Sequence, residues 1–147
     1  MKVTIISVGK AHESIYKEAI ETFELRLSKT LPITWCYIPT SKKEIESEGI
    51  SKAIKEEDYV ILLDERGKSI DNKDLSELID MAQNNSYKRV MCIIGGAYGV
   101  SDEILLRADY ILSLSKLVFP HQLVRLILIE QLYRSVSILH NGKYHHE

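Results

Sequence analysis

The sequence predicts an α/β protein in which a mostly parallel sheet is covered by helices on both faces. Short apolar runs rich in β-branched residues alternate along the chain with longer segments whose apolar residues recur at helical spacing. Two of the runs, DYVILLD and RVMCIIGG, have the continuous apolar character of strands that are buried on both faces. Neither a linker nor a repeat interrupts the sequence, so residues 1–147 are expected to form one domain.

The first half of the chain contains two predicted strands and two predicted helices. The strands are KVTIISVG, which ends at Gly9, and ITWCYIP, which Pro39 closes. Residues 12–29 between them have helical periodicity, with an apolar face formed by Ile15, Ala19, Ile20, Phe23 and Leu27. Residues 42–57 predict a weaker helix, and Gly49 in its middle predicts a break or a mobile segment.

The next five elements continue the alternation. DYVILLD is the third predicted strand, and the turn ERGKS follows it. Residues 72–83 predict a helix, with Leu75, Leu78, Ile79 and Ala82 at helical spacing. RVMCIIGG and YILSLS predict the last two strands, and between them SDEILLRA predicts a short helix with Ser101 as its N-cap.

The C-terminal helix is unusually apolar. Pro120 suits the first position of a helix, where the N–H that proline lacks would have no partner. The following residues, through Leu139, are apolar in nearly every direction, while Glu130 and Arg134 are spaced to form an ion pair. The sheet can cover one side of such a helix. The apolar residues on the other side therefore predict a partner, most simply a second copy of the chain in a homodimer.

Charge limits the ways in which this protein could bind nucleic acid. The net charge of −2 argues against a protein that holds nucleic acid by charge alone. Residues 104–147, however, contain five Lys and Arg against three Asp and Glu, together with four of the five histidines. If RNA is a partner, this C-terminal third is the side expected to face it.

Cysteine usage and hydropathy indicate the compartment. Cys36 and Cys92 lie far apart in apolar runs without metal-ligand spacing, which predicts free thiols in a reducing cytoplasm and no metal site. The opening MKVTIISVG is interpreted as a strand, because no small-residue cleavage site follows its short apolar run. No apolar run approaches the roughly 18 residues of a membrane span, so no membrane partner is expected.

Two motifs follow predicted strands. In IIGGAYG, residues 93–99, three glycines precede a helix, which suits either a loop that approaches a ligand or a tight turn that binds nothing. The motif is not G-x-G-x-x-G, which disfavours a hydride-transfer enzyme. In LLDERGKS, Asp64 and Glu65 are possible catalytic carboxylates, although a solvated charged turn is the commoner explanation.

Histidines supply two further candidates. His121 could act as a base, or it could be a capping or core residue. The tail HNGKYHHE contains a tyrosine and three histidines, which suit proton transfer near neutral pH, although chain ends are commonly frayed.

Taken together, five segments resemble one family across essentially the whole chain: VTIISVGK, LLDERGK, IGGAYG, LSLSKLVFPHQLVRLILIEQLYR and YHHE. This is the family of small SPOUT-class methyltransferases that methylate N3 of a pseudouridine in large-subunit ribosomal RNA. The resemblance implies an α/β fold with a C-terminal trefoil knot, a homodimer, S-adenosylmethionine as cofactor and no metal. It also implies an assembled ribosome as substrate.

The resemblance also implies site residues. The cofactor is expected to contact Leu63, Gly95, Leu114, Ser115, Lys116, Leu117, Val118 and Phe119. Tyr144 and His145 match the C-terminal Tyr-His that such enzymes bring to the active site, while His146 stands where the family has Arg or Lys. Arg125 is a candidate for substrate contact, or alternatively for a structural ion pair.

Two other functions stay open at this point. A SPOUT enzyme could act on another RNA site or on protein. A catalytically silent dimeric RNA-binding protein could keep the same fold, and it would differ from an enzyme in failing to bind S-adenosylmethionine.

Overall fold

The computed structural model describes residues 1–146, in which strands and helices alternate. The strands are β1 (Lys2–Val8), β2 (Ile33–Ile38), β3 (Tyr59–Ser69), β4 (Arg89–Ile94) and β5 (Tyr110–Ser113). The helices are α1 (Ser14–Leu27), α2 (Lys43–Ala53), α3 (Asn72–Asn84), α4 (Asp102–Arg107) and α5 (His121–Leu139). The predicted alternation is confirmed.

The strands form one sheet in the order β2-β1-β4-β3-β5, and every neighbouring pair is parallel. The carboxyl ends of all five strands therefore lie at the same edge. In open α/β sheets this edge is where ligands bind. The predicted trefoil knot stays a prediction, since strand order and register do not determine whether a chain is knotted.

Helices cover both faces of the sheet, as the continuous apolar strands predict. On one face α5 lies between α1 and α3 and packs over Val3, Ile5 and Cys92. On the other face α2 and α4 pack over residues that include Ile6 and Met91. Neighbouring residues of β1 thus enter different cores, which is the alternation expected of a strand buried on both sides.

The predicted apolar face of α1 is partly wrong, because Ile15 is 77% exposed. Ile20 and Leu27 are fully buried, and Tyr16 and Phe23 pack against the same core. Residues 16, 20, 23 and 27 follow the spacing of one helical face, and position 15 lies about 100° away from that face.

The break predicted at Gly49 is wrong, since α2 continues through it from Lys43 to Ala53. A Cβ at this position would lie 3.3 Å from Cγ2 of Ile38. Gly49 therefore allows close approach between the helix and β2, and this packing offsets the low helix propensity of glycine.

The turn predicted for ERGKS is also wrong, because β3 continues to Ser69 with an irregularity. Leu63 pairs with Leu112 of β5, and Lys68 pairs with the same residue after a shift in register. The intervening residues 64–67 bulge out of the ladder. At Gly67 a Cβ would lie 2.6 Å from the carbonyl oxygen of Ile111, so only glycine fits where the bulge returns to β5.

The chain itself covers much of the apolar helix α5, since six of its residues are buried and the others from His121 to Leu139 are partly buried. The helix begins one residue later than predicted, with Pro120 at the N-cap and its carbonyl accepting from Val124 N at 3.0 Å. The predicted ion pair between Glu130 and Arg134 is confirmed.

An ion pair links Asp58, the residue before β3, to Arg89 of β4. Asp58 is 3% exposed and accepts from Nε of Arg89 at 2.8 Å and from the backbone N of Lys55 at 2.7 Å. Burial alone raises the pKa of Asp58, but the hydrogen bonds from Arg89 and Lys55 outweigh it and leave that pKa below its ordinary value.

Replacing Asp58 by Asn is expected to cost about 2–4 kcal/mol of unfolding free energy at pH 7, because Arg89 loses its partner. A carboxylate whose pKa is lower in the folded than in the unfolded protein contributes its full stabilisation of the fold above the unfolded pKa of about 3.9. This contribution is lost as the pH falls through the pKa of the folded protein. Urea unfolding should therefore show the difference from wild type shrinking below about pH 4. A difference of the same size at pH 3 and pH 7 would contradict this role for Asp58.

Candidate active site

A cavity of about 510 Å³ opens at the carboxyl edge of the sheet. Its walls come from the bulge of β3, the loop after β4, the loop after β5, and the first turn of α5. The apolar lining includes Leu62, Ile94, Val100, Phe119 and Val124. The volume lies within the roughly 300–1,000 Å³ typical of small-molecule sites.

The bulge of β3 places two charged residues, Asp64 and Arg66, in the cavity lining. Asp64 accepts from Arg66 at three atoms: the backbone N at 2.9 Å, Nε at 3.0 Å and Nη2 at 2.8 Å. The hydrogen bond from the Arg66 side chain lowers the pKa of Asp64 and outweighs the opposing effect of burial. The cavity therefore has a carboxylate that stays charged at neutral pH, with an arginine held beside it.

The loop after β4, residues 95–101, is a tight turn built on glycine. Gly99 donates its N–H to the carbonyl of Gly96 at 3.0 Å and has a φ of +76°, a conformation that favours glycine. A Cβ on Gly95 would lie 3.1 Å from Cγ1 of Val100, so the turn closes tightly on itself. Both possibilities left open by the motif have some basis, since the loop is a tight turn and also lines the cavity.

The loop after β5 is stabilised by two serines and presents apolar side chains outward. Ser113 Oγ donates to the carbonyl of Ser115 at 3.1 Å, and Ser115 Oγ accepts from Leu117 N at 3.0 Å. Leu117 and Val118 are 72% and 79% exposed although they line the cavity. Together with Tyr98, which is 81% exposed, they form an apolar rim around its mouth.

The structure brings together seven of the eight residues expected to contact the cofactor. These seven line the cavity: Leu63, Gly95, Leu114, Ser115, Leu117, Val118 and Phe119. The eighth, Lys116, is exposed and is not part of the lining. Asp64, Glu65 and His121, which the motifs single out, also line the cavity.

Arg125 lies one turn into α5, outside the cavity lining, and is fully buried. Nε donates to Ser7 Oγ at 2.7 Å, and Nη1 lies 3.3 Å from Gln122 Oε1 and 3.4 Å from His12 Nδ1. Within residues 1–146 it has no carboxylate at salt-bridge distance, so the alternative of a structural ion pair gains no support there. Its contacts instead fix the start of α5 against the end of β1.

The tail packs against its own α5. Tyr144 donates its hydroxyl to Glu130 Oε1 at 3.1 Å, and its ring lies 4.8 Å from that of Tyr133. Burial, and then the hydrogen bond to Glu130, raise the pKa of Tyr144. His145 Nδ1 lies 3.1 Å from Nη1 of Arg134. Of the described tail residues, 140–146, none lines the cavity of the same chain.

Two polar residues are not predicted from the sequence: one lines the cavity and the other lies behind its wall. Arg66 is hidden in a segment that has the composition of an ordinary charged turn, and only the bulge in β3 places it at the site. Glu46 is buried behind the glycine loop, although its own helix gives no sign that a carboxylate is buried there. Neither position shows a local pattern that indicates the contact, although Arg66 lies within LLDERGK, one of the segments that carry the family resemblance.

The arrangement suits a small ligand that combines an apolar part with charged groups. The apolar lining can hold a flat aromatic group, while Asp64 and Arg66 offer one charge of each sign. Within residues 1–146 no group of His, Cys, Asp and Glu is arranged to hold a metal ion. Across the same residues, no helix is long and apolar enough to cross a membrane.

Comparison with known proteins gives one consistent result. A family model described as "Predicted SPOUT methyltransferase" matches residues 1–145. A protein of Clostridium botulinum (strain 657 / Type Ba4) is 40% identical, with 99% of each chain covered. Proteins of Parabacteroides distasonis and of Bacteroides fragilis (strain YCH46) are each 38% identical over the full length of both chains. All three relatives are named "Ribosomal RNA large subunit methyltransferase H".

Proposed function

The chain belongs to the SPOUT methyltransferase family, and we propose that it transfers a methyl group from S-adenosylmethionine to N3 of a pseudouridine in large-subunit ribosomal RNA. One observation supports the proposal most strongly. Three segments that are far apart in sequence meet around one cavity: the part of β3 at its bulge, the loop after β4 and the loop after β5. They contribute seven of the eight expected cofactor residues. We also propose a cytoplasmic homodimer in which each chain is a single domain.

The cavity fits S-adenosylmethionine in size and in chemistry. Its lining contains apolar side chains suited to adenine, and the backbone of the loops at Gly95 and Ser115 lies beside them. The carboxylate of Asp64 suits a ligand that carries positive charge, and Arg66 suits a carboxylate. We assign the seven residues that line the cavity to binding: Leu63, Gly95, Leu114, Ser115, Leu117, Val118 and Phe119.

When bound, the cofactor supplies an electrophilic methyl group attached to a sulfonium. The protein must hold the pseudouridine N3 towards that methyl group, and the N3 proton must pass to a side chain or to water as the bond between N3 and the methyl group forms. In its observed position Tyr144 donates a hydrogen bond to Glu130, and burial and this hydrogen bond raise its pKa, so its hydroxyl stays protonated there. His145 is the candidate proton acceptor in the tail.

In the observed position, however, His145 is not free to act as a base at Nδ1. Arginine can only donate, so Nδ1 of His145 accepts from Arg134, and a neutral ring then carries its proton on Nε2. A catalytic role therefore requires the tail to leave Arg134. This supports a tail that leaves the surface of α5 on which it packs and acts at an active site elsewhere.

The exposed apolar rim of Tyr98, Leu117 and Val118 supports the proposed homodimer. These three side chains line the same cavity as the first turn of α5. The chain itself buries or partly buries every residue of α5, whereas the three rim residues are exposed. Exposed apolar clusters of this kind commonly mark interfaces between proteins. A second copy placed here would cover the rim.

The assembled large subunit is expected to be a far better substrate than protein-free rRNA, by about 100-fold or more in initial rate. With a net charge of −2, the protein lacks the basic surface that binds naked RNA by counterion release. The test incubates purified protein and labelled S-adenosylmethionine with large subunits, small subunits or a protein-free rRNA hairpin. Equal labelling of the hairpin and the large subunit would contradict recognition of the assembled particle. Absence of cofactor binding would favour a silent RNA-binding protein.

A further inference from the structure

Glu46 is a buried carboxylate that no part of the proposed mechanism uses. It lies in the first turn of α2 and is 3% exposed. Carboxylates are rarely buried to this degree without a partner, because removing one from water is costly. The position of Glu46 in the fold therefore requires a physical explanation.

Within residues 1–146, only one of the two carboxylate oxygens of Glu46 has a hydrogen-bond partner. Oε2 accepts from the backbone N of Ser41 at 2.9 Å, and Oε1 has no hydrogen-bond partner among residues 1–146. Oε1 lies against Gly96 of the loop that lines the cavity, and it is the first atom that a Cβ on Gly96 would meet. The side chain is thus aimed at the back of the cofactor loop.

The next residue of α2 holds the other end of the same loop. Ser47 is 3% exposed, and its Oγ accepts from the backbone N of Ser101 at 2.9 Å. Two consecutive buried side chains therefore contact the loop, one at Gly96 and one at Ser101. Although α2 contributes nothing to the cavity lining, it determines where the wall formed by this loop lies.

We propose that Glu46 is a positioning residue of the cofactor site, and that Gly96 is glycine because Glu46 occupies the space of a side chain there. The inference rests on the proposed function, in that the cavity is taken as the cofactor site. The carboxylate acts through the loop and does not touch the ligand. Its removal leaves a space behind Gly96 into which the loop can relax, which disturbs the cavity wall that the ligand needs.

Glu46→Ala is expected to weaken binding of S-adenosylhomocysteine by about 10-fold. The rate at saturating S-adenosylmethionine should stay within about twofold of wild type, because Glu46 touches no reacting group. Glu46→Gln, which keeps the shape of the side chain, should bind better than Glu46→Ala. Calorimetry gives the affinities, and the melting temperature of the ligand-free protein reports whether each variant folds.

A double-mutant cycle tests the contact itself. Gly96→Ala alone places a methyl group against Oε1 of Glu46, whose other oxygen is held by Ser41 N in a buried site, so either the carboxylate or the loop must shift and binding should weaken by about 10-fold. In the Glu46→Ala background the same methyl group has room, so Gly96→Ala should weaken binding by a further factor of only about two or less. Melting temperatures of the ligand-free variants should show the same non-additivity, which does not depend on activity.

Gly99→Ala is the matched control in the same loop. A Cβ on Gly99 would meet nothing within 4 Å, but the φ of +76° makes any side chain strained there. Its effect should therefore be the same with and without Glu46.

The outcomes separate this inference from the proposed function. Wild-type protein that binds neither S-adenosylmethionine nor S-adenosylhomocysteine would overturn the proposed function and the inference with it. Wild-type binding with unchanged affinity in Glu46→Ala, or an equal penalty for Gly96→Ala in both backgrounds, would overturn the inference alone. If Glu46→Ala does not fold, the cycle is run with Glu46→Ser, and the same two results decide it.

Discussion

Gly95→Val is expected to weaken binding of S-adenosylmethionine by about 100-fold or more while leaving the sheet folded. A Cβ at this position would already lie 3.1 Å from Cγ1 of Val100 and 3.6 Å from the carbonyl carbon of Gly99. The two further methyl groups of valine cannot be placed without opening the turn. The wall of the cavity is therefore displaced, in addition to any direct conflict with the ligand.

Lys116→Ala provides the control for this variant. Lys116 belongs to the segment that family resemblance assigns to the cofactor, but its side chain is exposed and not part of the cavity lining. Its affinity should stay within about threefold of wild type, as expected of a surface substitution. Titration calorimetry measures both variants, and circular dichroism checks the fold. Unaltered affinity in a folded Gly95→Val protein would contradict the placement of the cofactor.

Mixing two inactive variants is expected to restore activity, because we propose that each active site uses the cofactor cavity of one protomer and the tail of the other. In a single chain the tail contacts Glu130, Tyr133 and Arg134, while the cavity is lined by His121 and Val124. Along α5, Val124 and Glu130 are about 9 Å apart. The tail therefore packs beyond the part of the helix that forms its own cavity.

The reach of the tail is compatible with a crossing. Residues 140–147 could span at most about 26–29 Å when extended, which is enough to cross an interface. In a crossed arrangement the tail would exchange its contacts with Glu130, Tyr133 and Arg134 for contacts with the partner. The family resemblance also favours crossing.

The test combines Gly95→Val with a chain truncated before Tyr144. In a mixed dimer with crossed tails, the truncated chain keeps an intact cavity and receives a complete tail from its partner. Random mixing makes about half of all dimers mixed, each with one complete site, so about a quarter of the wild-type activity should return. Continued inactivity, with mixed dimers demonstrated by mass spectrometry of the intact assembly, would exclude crossing.

Much of the fold can be predicted from the sequence because the signals are local. The strands KVTIISV and RVMCII have buried apolar character that does not depend on their neighbours, and the helical face of α3 follows directly from its spacing. Local pattern and tertiary packing favour the same structure at these positions.

The remaining features depend on contacts between distant residues. The bulge at residues 64–67 arises from the register between β3 and β5, and no property of ERGKS itself reveals that register. The continuity of α2 through Gly49 depends on Ile38, and the role of Glu46 depends on Gly96. Local periodicity carries no information about such pairs. Family resemblance therefore predicts that the three segments of the cavity wall meet, whereas local pattern does not.

Mass spectrometry of ribosomal RNA nucleosides tests the central proposal most directly. Large-subunit rRNA would be compared among cells with the gene, cells without it, and deleted cells supplied with wild-type protein or with Gly95→Val. We predict that one N3-methylated pseudouridine disappears on deletion, returns with wild-type protein and does not return with Gly95→Val. An unchanged set of modified nucleosides after deletion would contradict the proposed function.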